Sequence, residues 1–396
     1  MLGRLEVWGG TTEHGRACYY VSVGDKSLLL DCGINIVTGE MPEIDYDKLD
    51  KVDCILLTHS HEDHSKGIVE LLKKGHPKKV IMTEETGRQL DEMYSEELKQ
   101  YAHEFIFVEK IASHLEWFKL SDHIELCYGA SGHMYGAIWF LIKIYDKTIF
   151  YSGDYNRQVQ ILPFHVPEKS AVLDPIDLAI IDCANGMQKM NAKINRREMH
   201  DHMDHALRQK GQNLFIANRF SKVIETIILL REQYPNLVFY YDEALYYEIV
   251  RQVKSISLFK QFRDESLNRH SENFRAKWFE KANFIFLDQD VLYLEKQLAV
   301  ESFLQNGHNQ MWLTSKASFM KHQDELQGPS TERVFFCDIE AHQGVNGVIE
   351  LLNALNINKA LLCHLDGHEN LKSVKFLKSK GFYNVDICQI KASVAF

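Results

Sequence analysis

The stretch Val52–Ser65, V-D-C-I-L-L-T-H-S-H-E-D-H-S, decides how the rest of the chain is interpreted. Its apolar run predicts a buried strand, and the strand ends in a polar loop with four side chains that can bind a metal. These side chains are His59, His61, Asp63 and His64. Imidazole and carboxylate are ligands that zinc prefers, and on a turn this spacing can direct them at two neighbouring cations. The stretch therefore predicts half of a two-metal site.

The composition is that of a globular protein. The chain has 396 residues, 45 % of them hydrophobic, which suits two domains or one domain with a large insertion. Its N-terminus lacks a basic segment followed by an apolar one, and no apolar run approaches the roughly 18 residues that a membrane span needs. We therefore expect a cytoplasmic protein with no membrane partner.

The net charge and the cysteines exclude some classes of protein. The net charge of −10 argues against a protein that grips nucleic acid with its whole surface, although a local basic groove would be enough. The eight cysteines are scattered, mostly inside apolar runs, without the close pairs of a disulfide framework or a zinc knuckle. We expect them to be reduced core residues.

Further polar side chains follow apolar runs later in the chain. His133 lies in a glycine-flanked turn between two strand-like runs, and Asp154 and His364 each come just after a strand. The opening cluster alone is short of ligands for two metals, and a bridging carboxylate with additional imidazoles would complete them. Asp31 also ends a strand, where its carboxylate either orients the loop histidines or caps a turn.

Two features of the pattern bear on how specific the opening cluster is. Residues Ser65 to Gly75 have helical spacing and a terminal glycine, so the loop is expected to lie at a helix N-terminus. The stretch His200–His205 repeats the spacing H-x-H-x-D-H without a preceding apolar strand. Its charged, helix-like flanks would distribute these side chains around an axis, so we do not interpret it as a metal site.

The motifs, in their order along the chain, resemble those of the metallo-β-lactamase superfamily. More narrowly, the chain resembles the β-CASP nucleases, a family that includes ribonuclease J and the mRNA 3′-end-processing endonuclease. The seven motifs are D-C-G at Asp31, H-S-H-E-D-H at His59, S-G-H-M-Y-G around His133, S-G-D-Y-N-R around Asp154, D-C-A-N-G at Asp182, A-H-Q-G around His342 and C-H-L-D-G-H-E around His364. Their joint occurrence is far more specific than any one of them.

The resemblance implies an α/β protein in which an inserted α/β β-CASP domain interrupts a metallo-β-lactamase αββα sandwich, with the active site in the cleft between them. The expected boundaries are 1–205 for the first part of the sandwich, 206–325 for the insertion and 326–396 for the return segment. Independently, residues 206–330 alternate strand and helix patterns, which is typical of a parallel βαβα unit. The sequence carries no appended RNA-binding or dimerisation domain, so we expect a minimal, stand-alone member.

The resemblance also implies a role for each site residue. One zinc is expected on His59, His61 and His133, the other on Asp63, His64 and His364, with Asp154 as the bridge. His342 would be the general acid and Asp182 its carboxylate partner, so that His342, Asp182 and Asp63 form the catalytic group. Mn²⁺ is the alternative cation.

These roles agree with what phosphodiester hydrolysis requires. The reaction needs a hydroxide at neutral pH, neutralisation of charge on the phosphoryl oxygens and a proton for the leaving oxygen; two metals supply the first two. In the family, histidine at the position of His364 goes with RNA-cleaving members and valine with DNA-repair nucleases. We therefore predict a zinc-dependent nuclease that acts on single-stranded RNA.

Substrate contacts depart from the family pattern. In place of a Gly-Arg-x-x-Glu signature, the chain has Arg219 followed by Lys222, and the expected serine- and glycine-rich loop is T-S-K-A-S-F-M around Lys316. The two lysines are candidate phosphate contacts as point charges, in place of a backbone cradle.

The sequence is compatible with several other functions. The metal cluster also suits a hydrolase of a small molecule or cyclic nucleotide, or a DNA nuclease, and some family partners are RNA-binding subunits that have lost catalysis. The sequence decides neither between internal and stepwise cleavage nor whether the protein forms a homo-oligomer.

Overall fold

A computed structural model describes most of the chain. The described residues are 1–11, 15–169, 175–187, 201, 204, 207–208, 211–255, 283–288, 303–313, 334–336, 341–365 and 367–396. The chain divides into two compact units, one formed by Met1–Met190 with Ala341–Phe396 and the other by Asn191–Glu340. The boundaries expected from the sequence, after residues 205 and 325, stay predictions.

The first unit contains two sheets of seven strands each among its described residues. The strands of the first sheet are β1 (Gly3–Gly9), β2 (Cys18–Val23), β3 (Lys26–Leu30), β4 (Cys54–Leu56), β5 (Val80–Met82), β6 (Phe105–Phe107) and β19 (Ser393–Ala395). Their spatial order is β19-β1-β2-β3-β4-β5-β6. Pairing is antiparallel from β19 to β3 and parallel from β3 to β6.

The second sheet repeats this mixture of pairings. Its strands are β7 (Phe118–Ser121), β8 (Ile124–Ala130), β9 (Ile138–Ile144), β10 (Lys147–Tyr151), β11 (Leu178–Asp182), β17 (Ala360–Cys363) and β18 (Val385–Ile387). The spatial order is β18-β17-β11-β10-β9-β8-β7. Pairing is antiparallel from β7 to β10 and parallel from β10 to β18.

Helices cover the outer faces of both sheets. The helices of this unit are α1 (Tyr46–Leu49), α2 (Glu62–Lys73), α3 (Glu84–Leu98), α6 (Val345–Ala354) and α7 (Gly367–Ser379). Short 3₁₀ segments lie at Lys99–Glu104, Val108–Lys110 and Pro167–Lys169. None of the helices within the described ranges is long and apolar enough to cross a membrane.

The alternation of side chains along the strands creates three buried layers. On β9, Phe140 and Ile142 belong to the core between the two sheets, while Trp139 and Leu141 face α6 and α7 on the other side. A third cluster lies between the first sheet and helices α2 and α3. The layers are therefore helix, sheet, sheet and helix, which confirms the predicted αββα sandwich. The seven cysteines that the structure describes are free and buried, as expected.

The second unit has its own parallel sheet. Its strands are β12 (Asn213–Ala217), β13 (Phe239–Tyr241), β14 (Phe284–Asp288), β15 (Gln310–Leu313) and β16 (Val334–Phe336), in the order β13-β14-β12-β15-β16. Its helices are α4 (Val223–Gln233) and α5 (Glu243–Ser255). All described pairings are parallel, as the strand and helix alternation of the sequence indicates. The histidines of His200–His205 lie outside the described residues.

The segment after β3 holds the metal-binding loop in place. Cys32 N donates to His64 O at 2.8 Å, and Ile34 N donates to Glu62 O at 3.0 Å. Gly33 lies between them against the backbone of Asp63, so closely that a Cβ atom at Gly33 would overlap the Asp63 carbonyl group. Only glycine permits this approach, because the atoms it meets belong to a backbone and cannot rotate away. The position of α2, and of the histidines at its start, therefore depends on Gly33.

We predict that Gly33→Ala destabilises the protein by at least about 2 kcal/mol, since the added methyl group forces the loop away from the strand. The free energy of unfolding, measured by denaturant titration, checks this. Gly307→Ala is the matched control, because a Cβ there meets nothing within 4 Å among the described residues. Equal stability of the two variants would contradict the role of Gly33.

Candidate metal centre

The structure brings the seven predicted metal ligands together in the first unit. His59 and His61 lie in the loop between β4 and α2, while Asp63 and His64 lie in the first turn of α2. The remaining three follow other strands: His133 lies after β8, Asp154 after β10 and His364 after β17. Since these strands end at the same edge of the sandwich, residues that are distant in sequence converge.

Three imidazoles form what we call the first donor set, namely His59, His61 and His133. Nδ1 of His61 lies 3.2 Å from Nε2 of His59 and 3.1 Å from Nε2 of His133. One oxygen of Asp154, Oδ2, lies 3.5 Å from His59 Nε2 and 3.4 Å from His133 Nε2. Four donor atoms thus face one point.

The other oxygen of Asp154 faces the second donor set, which consists of Asp63, His64 and His364. Its Oδ1 lies 3.2 Å from His64 Nε2 and 3.0 Å from His364 Nδ1. Asp63 Oδ2 lies 3.8 Å from His64 Nε2 and 3.5 Å from His364 Nε2. Asp154 therefore occupies the position between the two sets that a bridging carboxylate would require.

Hydrogen bonds to the far ring nitrogens fix which nitrogen faces the site. Nδ1 of His133 lies 2.8 Å from the carbonyl oxygen of Ala341, and Nδ1 of His64 lies 2.7 Å from Asp31 Oδ2. Both partners can only accept, so both Nδ1 atoms carry hydrogen and both Nε2 atoms present a lone pair. Imidazoles held in this way are oriented as metal ligands.

Asp31 organises these contacts from a buried position. Its carboxylate accepts hydrogen bonds from Thr58 N at 2.7 Å, Thr58 Oγ1 at 2.8 Å and Tyr151 OH at 2.6 Å, in addition to that from His64. Thr58 Oγ1 in turn lies 3.0 Å from Nδ1 of His59, where it can accept because its hydrogen goes to Asp31. One carboxylate thus orients a histidine of each donor set.

The donor atoms fit divalent metal ions. Zinc–nitrogen distances of 2.0–2.1 Å place neighbouring ligands of a tetrahedral site about 3.3 Å apart, close to the separations in the first set. Nε2 of His64 is buried and has no hydrogen-bond partner within the described ranges, although two carboxylate oxygens lie near it. A lone pair facing carboxylates is unfavourable unless a cation lies between them.

The electrostatics of the cluster show the same demand for positive charge. Burial lowers the pKa of His59 and of His133 well below the ordinary histidine value. Burial also opposes protonation of His64, but Asp154 and Asp63 outweigh it and raise the pKa of His64 well above the ordinary value. The second donor set, which has the additional carboxylate, therefore attracts positive charge more strongly than the first.

His342 and Asp182 form a pair beside the donor sets. His342 Nδ1 donates to Asp182 Oδ2 at 3.1 Å, and Asp182 also accepts from Tyr155 N at 3.0 Å and Ala184 N at 2.9 Å. These three donors engage the oxygens of Asp182, although the pair lies close enough to Asp154 for metal binding. The predicted catalytic role of the pair stays a prediction. Burial lowers the pKa of His342, but Asp182 and Asp154 outweigh it and raise the pKa to about 9.

The predicted substrate contacts lie in the second unit. Arg219 Nη1 is 3.4 Å from Asp288 Oδ2, and the buried Lys222 Nζ is 3.4 Å from Glu225 Oε2. Lys316 lies outside the described residues. The role of all three in binding phosphate stays a prediction.

Sequence reasoning missed Thr58 and Tyr151, the two other partners of Asp31. Thr58 immediately precedes His59, and this position is a signal that its hydroxyl could orient the imidazole of His59. Tyr151 has no such signal, because it is the last residue of the apolar strand β10 and reaches Asp31 across the sandwich.

We predict that Asp31→Asn weakens metal binding about 10- to 100-fold, because the amide nitrogen would face donors where a carboxylate oxygen accepted them. Competition with a chromophoric chelator measures the affinity. Asp177→Asn is the control, since Asp177 also accepts bonds from Lys147 Nζ and Thr148 N, at 2.8 and 2.9 Å, but lies outside the site. Equal affinities in both variants would exclude an orienting role for Asp31.

Comparison with known proteins agrees with this geometry. Residues 11–130 match the metallo-beta-lactamase superfamily. The chain is 26 % identical over 274 residues to cleavage and polyadenylation specificity factor subunit 3-I of Arabidopsis thaliana, covering 64 % of this chain and 39 % of that protein. It is 26 % identical to an RNase J-like protein of Methanocaldococcus jannaschii, covering 57 % and 54 %, and 23 % identical to endoribonuclease YSH1 of Kluyveromyces lactis, covering 93 % and 53 %.

The chain thus spans about half the length, or less, of these curated relatives. A crystal structure of a protein of unknown function from Enterococcus faecalis V583 has the same fold, with a TM-score of 0.62 at 12 % identity over 100 % of both chains. The motifs, the sandwich and these matches agree on the family predicted from the sequence. Residues 11–130 thus match the metallo-β-lactamase superfamily, and the relatives support the β-CASP ribonuclease family predicted from the sequence.

Proposed function

We propose that the protein is a metal-dependent ribonuclease that hydrolyses RNA phosphodiester bonds with two divalent cations. The observation that carries this proposal is the geometry around Asp154, whose two oxygens face two donor sets while His342 and Asp182 lie alongside. Relatives named as an RNase J-like protein and an endoribonuclease support RNA as the substrate. Its location in the cytoplasm and its preference for single strands stay predictions.

The residues of each donor set would hold one cation. Zinc is the cation favoured by the imidazole-rich first set, and Mn²⁺ is the alternative, which suits the additional carboxylate of the second set. When bound, such cations would activate water and offset negative charge on the phosphoryl oxygens. Asp154 would belong to both sets, and Asp63 to the second alone.

His342 is proposed as the general acid. Because its Nδ1 donates to Asp182, the proton available for transfer is that on Nε2. Asp182 is fully buried and hydrogen-bonded to two backbone amides, so it holds the imidazole in one orientation and stabilises its protonated form. The side chain of His342 is 23 % exposed, which leaves it accessible to a leaving oxygen.

We predict that His342→Ala lowers the rate of RNA cleavage about 10²- to 10⁴-fold, the contribution expected of a general acid, and leaves two metal equivalents bound. Cleavage of end-labelled RNA and elemental analysis of the same sample measure both quantities. His76→Ala is the control, because His76 is paired with Asp50 at 3.1 Å and belongs to neither donor set. Cleavage by His342→Ala at the wild-type rate would refute the assignment.

Removal of metal provides a separate prediction. Dialysis against a strong chelator should abolish cleavage without unfolding the sandwich, because the hydrophobic layers do not depend on the donor sets. Readdition of Zn²⁺ or Mn²⁺ should restore activity in proportion to the second equivalent bound. Undiminished cleavage by protein shown to hold less than about one-tenth equivalent of metal would exclude the two-cation reaction.

A panel of possible substrates tests which phosphodiester the protein hydrolyses. The purified protein is incubated with 5′-monophosphate, 5′-triphosphate and circular RNAs, with single-stranded DNA and with a generic small phosphodiester. RNA cleavage is the expected result, and cleavage of the circle would establish internal cutting. Activity on DNA alone or on the small phosphodiester alone would replace the proposal by one of the two alternative functions.

A further inference from the structure

Helix α3 carries a glutamine that is fully buried against the metal-binding loop. Gln89 has no exposed surface, although the amide of glutamine ordinarily stays in water. Its Oε1 accepts a hydrogen bond from Ser60 Oγ at 2.6 Å, and its Nε2 donates to Glu85 Oε1 at 2.9 Å and to Tyr135 O at 3.1 Å. Every polar atom of the amide is thereby used.

These bonds join the two segments that supply the first donor set. Ser60 lies between His59 and His61, and Tyr135 lies two residues after His133. Gln89 therefore spans from the loop with two of the imidazoles to the turn with the third. Because an amide is planar and all its bonds are made, it fixes the distance between loop and turn.

The start of α3 reinforces the contact with the turn. Gly136 O accepts from Thr83 Oγ1 at 2.9 Å and from Thr86 Oγ1 at 3.3 Å. Gly136 has φ +90°, and a Cβ there would lie 2.6 Å from Glu85 Cγ. The glycine thus allows the turn to approach the helix closely enough for these bonds and for the Gln89 bond to form.

The second donor set is held by other contacts. His64 is oriented by Asp31, and the carbonyl of Asp63 accepts from Ala17 N at 2.9 Å. Asp154 and His364 follow strands β10 and β17 of the second sheet. Asp31 serves both sets, because Thr58 connects it to His59, and Tyr94 of α3 also donates to Glu62 at the start of α2 at 3.0 Å. The bonds of Gln89, in contrast, join the loop and the turn that carry the first set.

From these bonds we propose that Gln89 is a positioning residue for the first donor set: it sets the spacing of His59 and His61 relative to His133 and thereby the metal affinity of that set. The inference rests on the two-cation part of the proposed function. It adds a residue that is not itself a ligand and that acts on the first metal position through Ser60 and Tyr135.

The test compares Gln89→Met with wild type. Methionine has nearly the same length but makes none of the three bonds, so loop and turn lose their common anchor. Both proteins are loaded with Co²⁺, and metal is withdrawn by graded addition of a chelator while the cobalt absorption and the bound equivalents are recorded. We expect one of two equivalents to dissociate at about 10- to 100-fold lower chelator concentration, and the other to be unchanged.

Tyr128→Phe is the matched control. It removes one partly buried hydrogen bond of the same unit, from Tyr128 OH to Ala112 O at 2.8 Å, without changing a residue of either donor set. The control should lose stability comparably and release both metals as wild type does. Parallel loss of both equivalents in Gln89→Met, or an unchanged titration, would overturn the inference.

Two further variants keep the test decisive if Gln89→Met does not fold. Ser60→Ala removes a single bond of the same bridge and should give a smaller effect of the same selectivity. Gly136→Ala pushes the turn away from α3 without changing Gln89 and should again weaken one equivalent. If wild type itself holds fewer than two equivalents, the proposed function fails; if it holds two and no variant separates them, only the role of Gln89 fails.

Discussion

The site depends on one buried carboxylate. Asp154 is 3 % exposed and lies within 3.5 Å of imidazole nitrogens from His59, His64, His133 and His364. A carboxylate in this position costs several kcal/mol of desolvation unless positive charge surrounds it. The imidazoles of the cluster also pull its pKa well below the ordinary value, against the effect of burial. The four histidines come from three separate strand ends, so the register of both sheets decides whether this charge is compensated.

Two residues of the site have strained backbone conformations. Asp31 and His364 both have left-handed backbone conformations, with φ of +54° and +62°. Such conformations are costly for residues with a Cβ, by about 1–2 kcal/mol, and they persist only where the surroundings determine them. Four hydrogen bonds hold the side chain of Asp31, and the Asp154 carboxylate holds that of His364. Each strained residue follows a strand, where the chain must turn at once to aim a side chain at the site.

Features that depend on neighbouring residues in the sequence could be predicted. Apolar runs predicted the strands before the metal-binding loop and His364, and the layers of the sandwich followed from the family resemblance. The periodic spacing predicts a helix from Ser65, whereas α2 begins at Glu62, because the acidic Glu62 and Asp63 favour the first turn of a helix.

Partners distant along the chain were not predictable. Gln89 resembles any polar residue of a charged helix, and only the fold shows that it faces inward. Tyr151 and Asp31 are 120 residues apart, and their hydrogen bond depends on the way the two sheets face each other. The periodicity of a sequence indicates which face of a helix or strand is apolar. It does not indicate which polar groups from other elements will form hydrogen bonds with that helix or strand in the core.

The two donor sets differ in their ligand atoms. The first set offers three imidazoles and one carboxylate oxygen, the second two imidazoles and oxygens from Asp63 and Asp154. Nitrogen-rich sites favour zinc, and each added carboxylate shifts preference towards harder cations such as Mn²⁺. Asp31 orients one histidine in each set, so it couples the two positions, whereas Gln89 acts on the loop and turn of the first. The two oxygens of Asp154 face one set each, so any cations held by the two sets would share this carboxylate.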